Sequence, residues 1–173
     1  MEIKIRNEQK NDYDQIRKIN DLAFGQENEG KMIESLRKTS DYNASLSLVA
    51  EIKEKIVGHI LFYPVKIKNE KEEYTVLSLA PMAVHPEYQN KGIGSKLVKT
   101  GLQIAKENNF DIVIVVGHPR YYPRFGFKPA GNLGIQHPFD VPNDVFLALE
   151  LKDNALKNCR GKVEYPKEYY EAM

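Results

Sequence analysis

The residues best suited to chemistry lie at positions 79–95. There an apolar segment through Met82, Ala83 and Val84 gives way to His85, Pro86 and then Gln89-x-x-Gly92-x-Gly94. The two glycines stand where a helical pattern begins. A glycine-bearing turn entering a helix leaves its first backbone N–H groups without intrahelical acceptors, at the positive end of the helix dipole. That arrangement holds a phosphate without needing a lysine. Gln89, Asn90, Lys91, Gly92, Ile93, Gly94 and Ser95 are therefore the candidate phosphate-binding residues. Side chains at 92 and 94 would block close approach to the backbone, which is the physical reason for glycine there.

Two other phosphate motifs do not fit. A P-loop needs Gly-x-x-x-x-Gly-Lys followed by Ser or Thr, which is absent. A dinucleotide fingerprint needs a third glycine, where Leu97 stands, and an acid at the end of the following strand, whereas Asp111 lies at its start. A second run of reactive types is Gly117-His118-Pro119-Arg120-Tyr121-Tyr122-Pro123-Arg124-Phe125-Gly126-Phe127. Two prolines bound it, so it forms at most a short helical turn.

The elements that position these residues follow from periodicity. Residues 2–6 alternate as a first strand. Asn11 and Asp14 suggest a helix start, Tyr13, Ile16, Ile19 and Ala23 share one face, and Gly25 supplies the stop. After polar residues 26–30, Met32, Ile33 and Leu36 mark a second helix, and 39–45 read as a loop. Residues 46–52 and 56–67 form a hairpin about the turn 53–55, and 68–73 turn into a third strand over 74–84. Pro81 sits within that strand and cannot donate to a ladder. It marks either an irregular strand end or a bulge that splays the strand from its neighbour. Ile93, Leu97, Val98, Leu102 and Ala105 share a helical face ending at Asn108 and Asn109. The continuous apolar run 112–116 reads as a strand buried on both faces, so strand, helix and strand imply a parallel crossover. Residues 145–151 form another strand, with a short one near Val163.

Bulk properties narrow the class. With 173 residues, 42% hydrophobic and 28% charged, one globular domain is expected. A net charge of +1 lacks the basic excess of a nucleic-acid binder. The single Cys159 rules out an internal disulfide and a cysteine-based metal site, so no metal is expected. No apolar run reaches membrane-spanning length and no apolar leader follows Met1, so a cytoplasmic protein without membrane partners is expected.

Gln89-x-x-Gly92-x-Gly94 resembles the acyl-coenzyme A signature of the GNAT superfamily of N-acetyltransferases, [Gln/Arg]-x-x-Gly-x-[Gly/Ala]. The meander before it, the single helix and buried strand after it, and a Tyr-x-x-x-Gly-Phe element at 122–127 extend the resemblance from Ile3 to about Leu151. The His-Pro-x-Tyr-Tyr-x-Arg-Phe-Gly-Phe variant and the ending at 161–165 are similar to a bacterial branch of predicted acetyltransferases. The resemblance implies an α/β (α+β) GNAT fold: a mixed, mostly antiparallel sheet with a splayed parallel strand pair and flanking helices. It implies a domain over 1–151 with an extension, 152–173, packed on it.

It further implies acetyl transfer from acetyl-CoA to a primary amine, of a small molecule or a protein N-terminus, in a ternary complex. A non-catalytic acyl-CoA-binding module is the alternative. Met82, Ala83 and Val84 would line the pantetheine arm, with a backbone N–H near Met82 as oxyanion donor. Tyr122 would be the acid, with packing under the cofactor as its alternative and Tyr121 as a packing neighbour. His118 and Phe125 would meet the coenzyme, with an ordinary solvated basic face as the alternative for His118, Arg120 and Arg124. The family's glutamate near the bulge has no counterpart here. His85 is the candidate base, with His59, Glu27, Glu29 and water as rivals. The family also allows a homodimer.

Overall fold

The computed structural model describes residues 1–173. The elements run β1 (Lys4–Asn7), α1 (Tyr13–Phe24), α2 (Asn28–Arg37), β2 (Ser47–Ile52), β3 (Lys55–Lys68), β4 (Glu73–Val84), α3 (Ile93–Glu107) and β5 (Ile112–Val116). They continue β6 (Lys128–Pro129), β7 (Ile135–Gln136), β8 (Phe146–Glu150), α4 (Ala155–Asn158), β9 (Gly161–Glu164) and α5 (Lys167–Glu171). The strands make a mixed, mostly antiparallel sheet with a parallel β4–β5 pair, flanked by helices, the class expected above. No helix is long and apolar enough to cross a membrane. The chain divides into two units: Met1–Tyr63, Ala80–Ile104 and Lys167–Met173 form one, Pro64–Leu79 and Ala105–Pro166 the other.

In the first unit β1, β2 and the first half of β3 pair antiparallel, from Lys4↔Glu51 and Ser47↔Leu61. The hairpin turn is tighter than expected: only Lys53 and Glu54 leave the strands, both at positive φ (48° and 66°). Two left-handed residues give the twist that a two-residue hairpin needs. Helix α1 starts one residue beyond Asp12, whose carboxylate accepts from Gln9 N–H and from the Arg6 guanidinium at 2.7 and 3.0 Å. That pairing, rather than Asn11, fixes the helix entry. Gly25, at φ +67°, ends α1 and donates its N–H to Asp21 O at 3.0 Å.

Helix α2 begins earlier than expected and takes in Gly30. A Cβ there would lie 2.5 Å from Arg17 Cδ, so glycine lets the two helices close on the Arg17 side chain. Arg17 in turn meets Asp21, Glu27 and Glu34 at 2.7–3.0 Å. Helix α3 buries Ile93, Leu97, Val98 and Ala105 as its periodicity predicts, while Leu102 on the same face is only half-buried. It lies close on β3, because Gly101 faces the Phe62 ring and Gly58 faces Ile93 and Leu97. Helix α5 packs beside α2.

In the second unit β4 and β5 pair in parallel at Leu77↔Val113 and Ser78↔Ile114. Strand β5 continues to Val116, paired with β8 along its whole length. Strand β6 pairs antiparallel with β8, β9 pairs with β3 at Lys66–Lys68, and β7 lies parallel to β9. The short β6, β7 and α4 were not expected from the sequence. With two to four residues each, they carry no period to read.

Candidate functional site

The first unit builds the turn expected to hold phosphate. Strand β4 continues through Pro81 to Val84, with Ala83 buried and Met82 and Val84 half-buried on the alternate face. His85 then fixes the exit of the strand: its backbone N–H donates to Val57 O at 2.8 Å. Its ring Nδ1 accepts the Glu87 N–H at 3.1 Å, capping the 3-10 turn Pro86–Tyr88. The Gln89 side-chain amide donates to Val84 O at 3.0 Å, so Gln89 braces the turn against the strand end.

Asn90 and Gly92 follow at φ +63° and +82°. Left-handed residues in a turn aim successive N–H groups into a concavity suited to an anion. The first helical bond of this turn runs from Lys96 N–H to Gly92 O at 3.1 Å, so Ile93 and Gly94 precede any intrahelical acceptor. A Cβ on Gly92 would meet nothing within 4 Å, which leaves the approach to the turn open. The buried Ile93 side chain anchors the turn to the core. Lys91 and Lys55 place their ammonium groups 5.4 and 5.5 Å from the Tyr88 ring centre, adding positive charge nearby. The donor set therefore suits a pyrophosphate.

The second unit holds the aromatic turn. Tyr122 opens the 3-10 turn Tyr122–Phe125, which Gly126 ends at φ +100°. The Tyr122 ring is buried, edge-on to Tyr121 (5.0 Å between centres) and to Phe127 (5.8 Å). Burial, with the neighbouring Tyr121, pushes the Tyr122 phenol well above the usual range, so it stays protonated near neutrality. His118 turns its Nδ1 to the Arg120 N–H at 3.1 Å. Phe125 packs edge-on to Tyr121, and the Arg124 guanidinium lies 4.5 Å over the Tyr121 ring.

Other candidates are engaged elsewhere. His59 is fully buried, with Nε2 2.9 Å from Ser47 Oγ, and burial holds its pKa down. It is closed off from solvent, so the structure places it in the core. Glu27 pairs with Arg17 at 2.9 Å, and Glu29 accepts from the Gln26 amide at 3.0 Å. Around His59 lies a node that sequence reasoning missed. Glu8 accepts from Arg37 Nε at 2.8 Å and from Ser47 Oγ, with His59 Nε2 3.6 Å away. Its members are scattered from residue 8 to 59, and no spacing announces them.

The chain matches the family model described as acetyltransferase (GNAT) domain over residues 4–130. It is 39% identical over 136 residues to a protein named Uncharacterized N-acetyltransferase YjhQ of Escherichia coli strain K12, covering 78% of this chain and 75% of that one. Among solved structures, the Escherichia coli GNAT family N-acetyltransferase YhbS in complex with CoA superposes with a TM-score of 0.89 at 28% identity, covering 97% and 92% of the two chains. A GNAT family acetyltransferase from Brucella melitensis in complex with acetyl-CoA superposes with a TM-score of 0.79 at 29% identity, covering 97% and 98%. Since the matching model takes in everything from β1 through the glycine turn before α3 and the aromatic turn to β6, the chain belongs to the GNAT acetyltransferase family.

Proposed function

We propose that this acyltransferase moves an acetyl group from acetyl-CoA to a primary amine, of a small molecule or a peptide amino terminus, by direct attack in a ternary complex. The observation that carries the proposal is the turn into α3, with Asn90 and Gly92 at positive φ and open space before Gly92. Solved relatives bound to CoA and to acetyl-CoA support the choice of acyl donor. When bound, acetyl-CoA supplies a thioester whose carbonyl carbon takes the amine nitrogen while the C–S bond breaks with its electron pair to sulfur, giving an amide and a free thiol.

Residues 89–95 hold the pyrophosphate by backbone N–H groups, with Gln89 bracing the turn. The backbone of Met82, Ala83 and Val84 orients the pantetheine arm. An N–H near Met82 donates to the developing oxyanion, an interaction worth roughly 3 kcal/mol in the transition state. Tyr122, kept neutral by burial, gives its phenol proton to the leaving sulfur and recovers one from solvent. His118, ahead of the same turn, and Phe125, at its end, contact the coenzyme. A neutral His85 whose Nδ1 accepts from Glu87 carries its proton on Nε2 and offers a donor there. It therefore holds the turn, and the amine loses its proton to water.

The test measures coenzyme A release and product mass with acetyl-CoA and three probe amines: spermidine, free lysine and an alanine-initiated tripeptide. Tyr122→Phe is expected to lower kcat about 100-fold with acetyl-CoA affinity unchanged, as for loss of a general acid. Tight acetyl-CoA binding without turnover on any amine, and no effect of Tyr122→Phe, would instead identify an acyl-CoA-binding module.

A further inference from the structure

Gly117 directly follows β5, and its N–H donates to Val145 O at 2.9 Å. Its φ is not positive, so backbone conformation alone does not demand glycine. Space does. A Cβ built at 117 would lie 2.3 Å from Cε2 and 2.7 Å from Cδ2 of Tyr122. The Tyr122 ring is thus laid against bare backbone, with Tyr121 edge-on at 5.0 Å and Phe127 edge-on at 5.8 Å. Side chains can shift by rotating, but the strand-end backbone at 117 is tied into the β8 side of the sheet through Val145. Among these three neighbours it is the least able to give way.

We propose that Gly117 is a positioning residue: by carrying no side chain it sets the seat of the Tyr122 ring, and so the point at which the phenol proton is delivered. The inference rests on the reading of Tyr122 as the acid that protonates the leaving thiolate. Alanine at 117 must drive the ring away, because real Cβ contacts essentially never fall under 3.0 Å. Proton transfer works only at hydrogen-bond reach, and a displacement of about 1 Å takes a donor out of it. Of the three neighbours only Tyr121 is titratable, whereas Phe127 and the Gly117 backbone bring no charge.

A double-substitution cycle on the full chain tests this, read as coenzyme A release from acetyl-CoA with the fastest of the three probe amines. Tyr122→Phe should lower kcat about 100-fold and Gly117→Ala at least about tenfold, with KM for acetyl-CoA changed less than about twofold. The double variant should be no slower than Tyr122→Phe alone, since Gly117 acts through the phenol. Losses that multiply in the double variant overturn the inference, because Gly117 then serves another group. Wild-type kcat in Gly117→Ala overturns it while leaving Tyr122 as the acid. Wild-type kcat in Tyr122→Phe overturns the acid assignment, and the inference with it. A second measurement needs no folded variant at 117: the ionisation of Tyr122 in protein labelled with carbon-13 at tyrosine Cζ, its signal assigned by its loss in Tyr122→Phe. A seated ring titrates above the ordinary phenol range. Titration within that range would show a ring free of its seat and would overturn the proposal.

Discussion

Gly92 tests the turn at the level of a single residue. It stands at φ +82°, where a β-branched side chain is strained, yet a Cβ there meets nothing within 4 Å. The cost of Gly92→Val to folding is therefore backbone strain of roughly 1–2 kcal/mol, with no packing clash. The cost to coenzyme binding is larger, because the side chain projects into the approach to the N–H groups. Calorimetric titration should show acetyl-CoA affinity falling at least about 100-fold while the melting temperature drops only a few degrees. Unchanged affinity would remove the turn from the binding site. The turn itself was legible because its signal is local: Gln89, Gly92 and Gly94 lie within six residues of one another. Gly117 was not, since its meaning lies in a ring five residues away that only the folded turn brings back upon it.

Among the elements, α3 shows the same division. Its apolar face was plain from Ile93, Leu97, Val98 and Ala105, but a glycine at 101 reads in sequence merely as a weak helix former. In the structure a Cβ at Gly101 would lie 2.2 Å from Cε2 of Phe62, a ring that is itself fully buried. Two effects compete in Gly101→Ala. Helix propensity favours alanine by about 1 kcal/mol, while overpacking a closed core costs roughly 1–3 kcal/mol. The ring has no exposed side toward which to retreat, so the packing cost should win. Urea unfolding is expected to show a net loss of roughly 1 kcal/mol, part of which Phe62→Leu restores in the double variant. A more stable Gly101→Ala protein would mean that α3 can lift off β3 freely. The β2–β3 hairpin and the parallel β4–β5 pair could be foreseen because apolar runs and turns set them. Helix α5 could not, as its five residues are too few to show a face.

The stability of the whole molecule should carry the mark of its buried ion pair. Glu8 and Arg37 have side chains only 2% and 9% exposed, and they join the connection after β1 to the end of α2. Burial alone would raise the Glu8 pKa. The interactions with His59, Arg37 and Ser47 outweigh it and hold the carboxylate down at about 2, against an ordinary 4.5. A carboxylate whose folded pKa is depressed contributes stability that is present above its unfolded pKa and is lost as pH falls toward the folded one. For Glu8 that window runs from about 4.5 down to about 2 and involves roughly 3 kcal/mol. His59 acts earlier and in the same direction. Burial lowers its pKa below the ordinary 6.5, so the unfolded chain takes up a proton there that the folded one refuses. Acidification should therefore erode stability first below about pH 6.5 and again below about pH 4.5. Glu8→Gln should cost roughly 3 kcal/mol or more at pH 7, because it strands the Arg37 charge in the interior. It should also abolish the lower step while keeping the upper one. Urea unfolding of both proteins between pH 3 and 8 separates these contributions, and a Glu8→Gln profile parallel to the parent through the lower window would exclude Glu8 as its source.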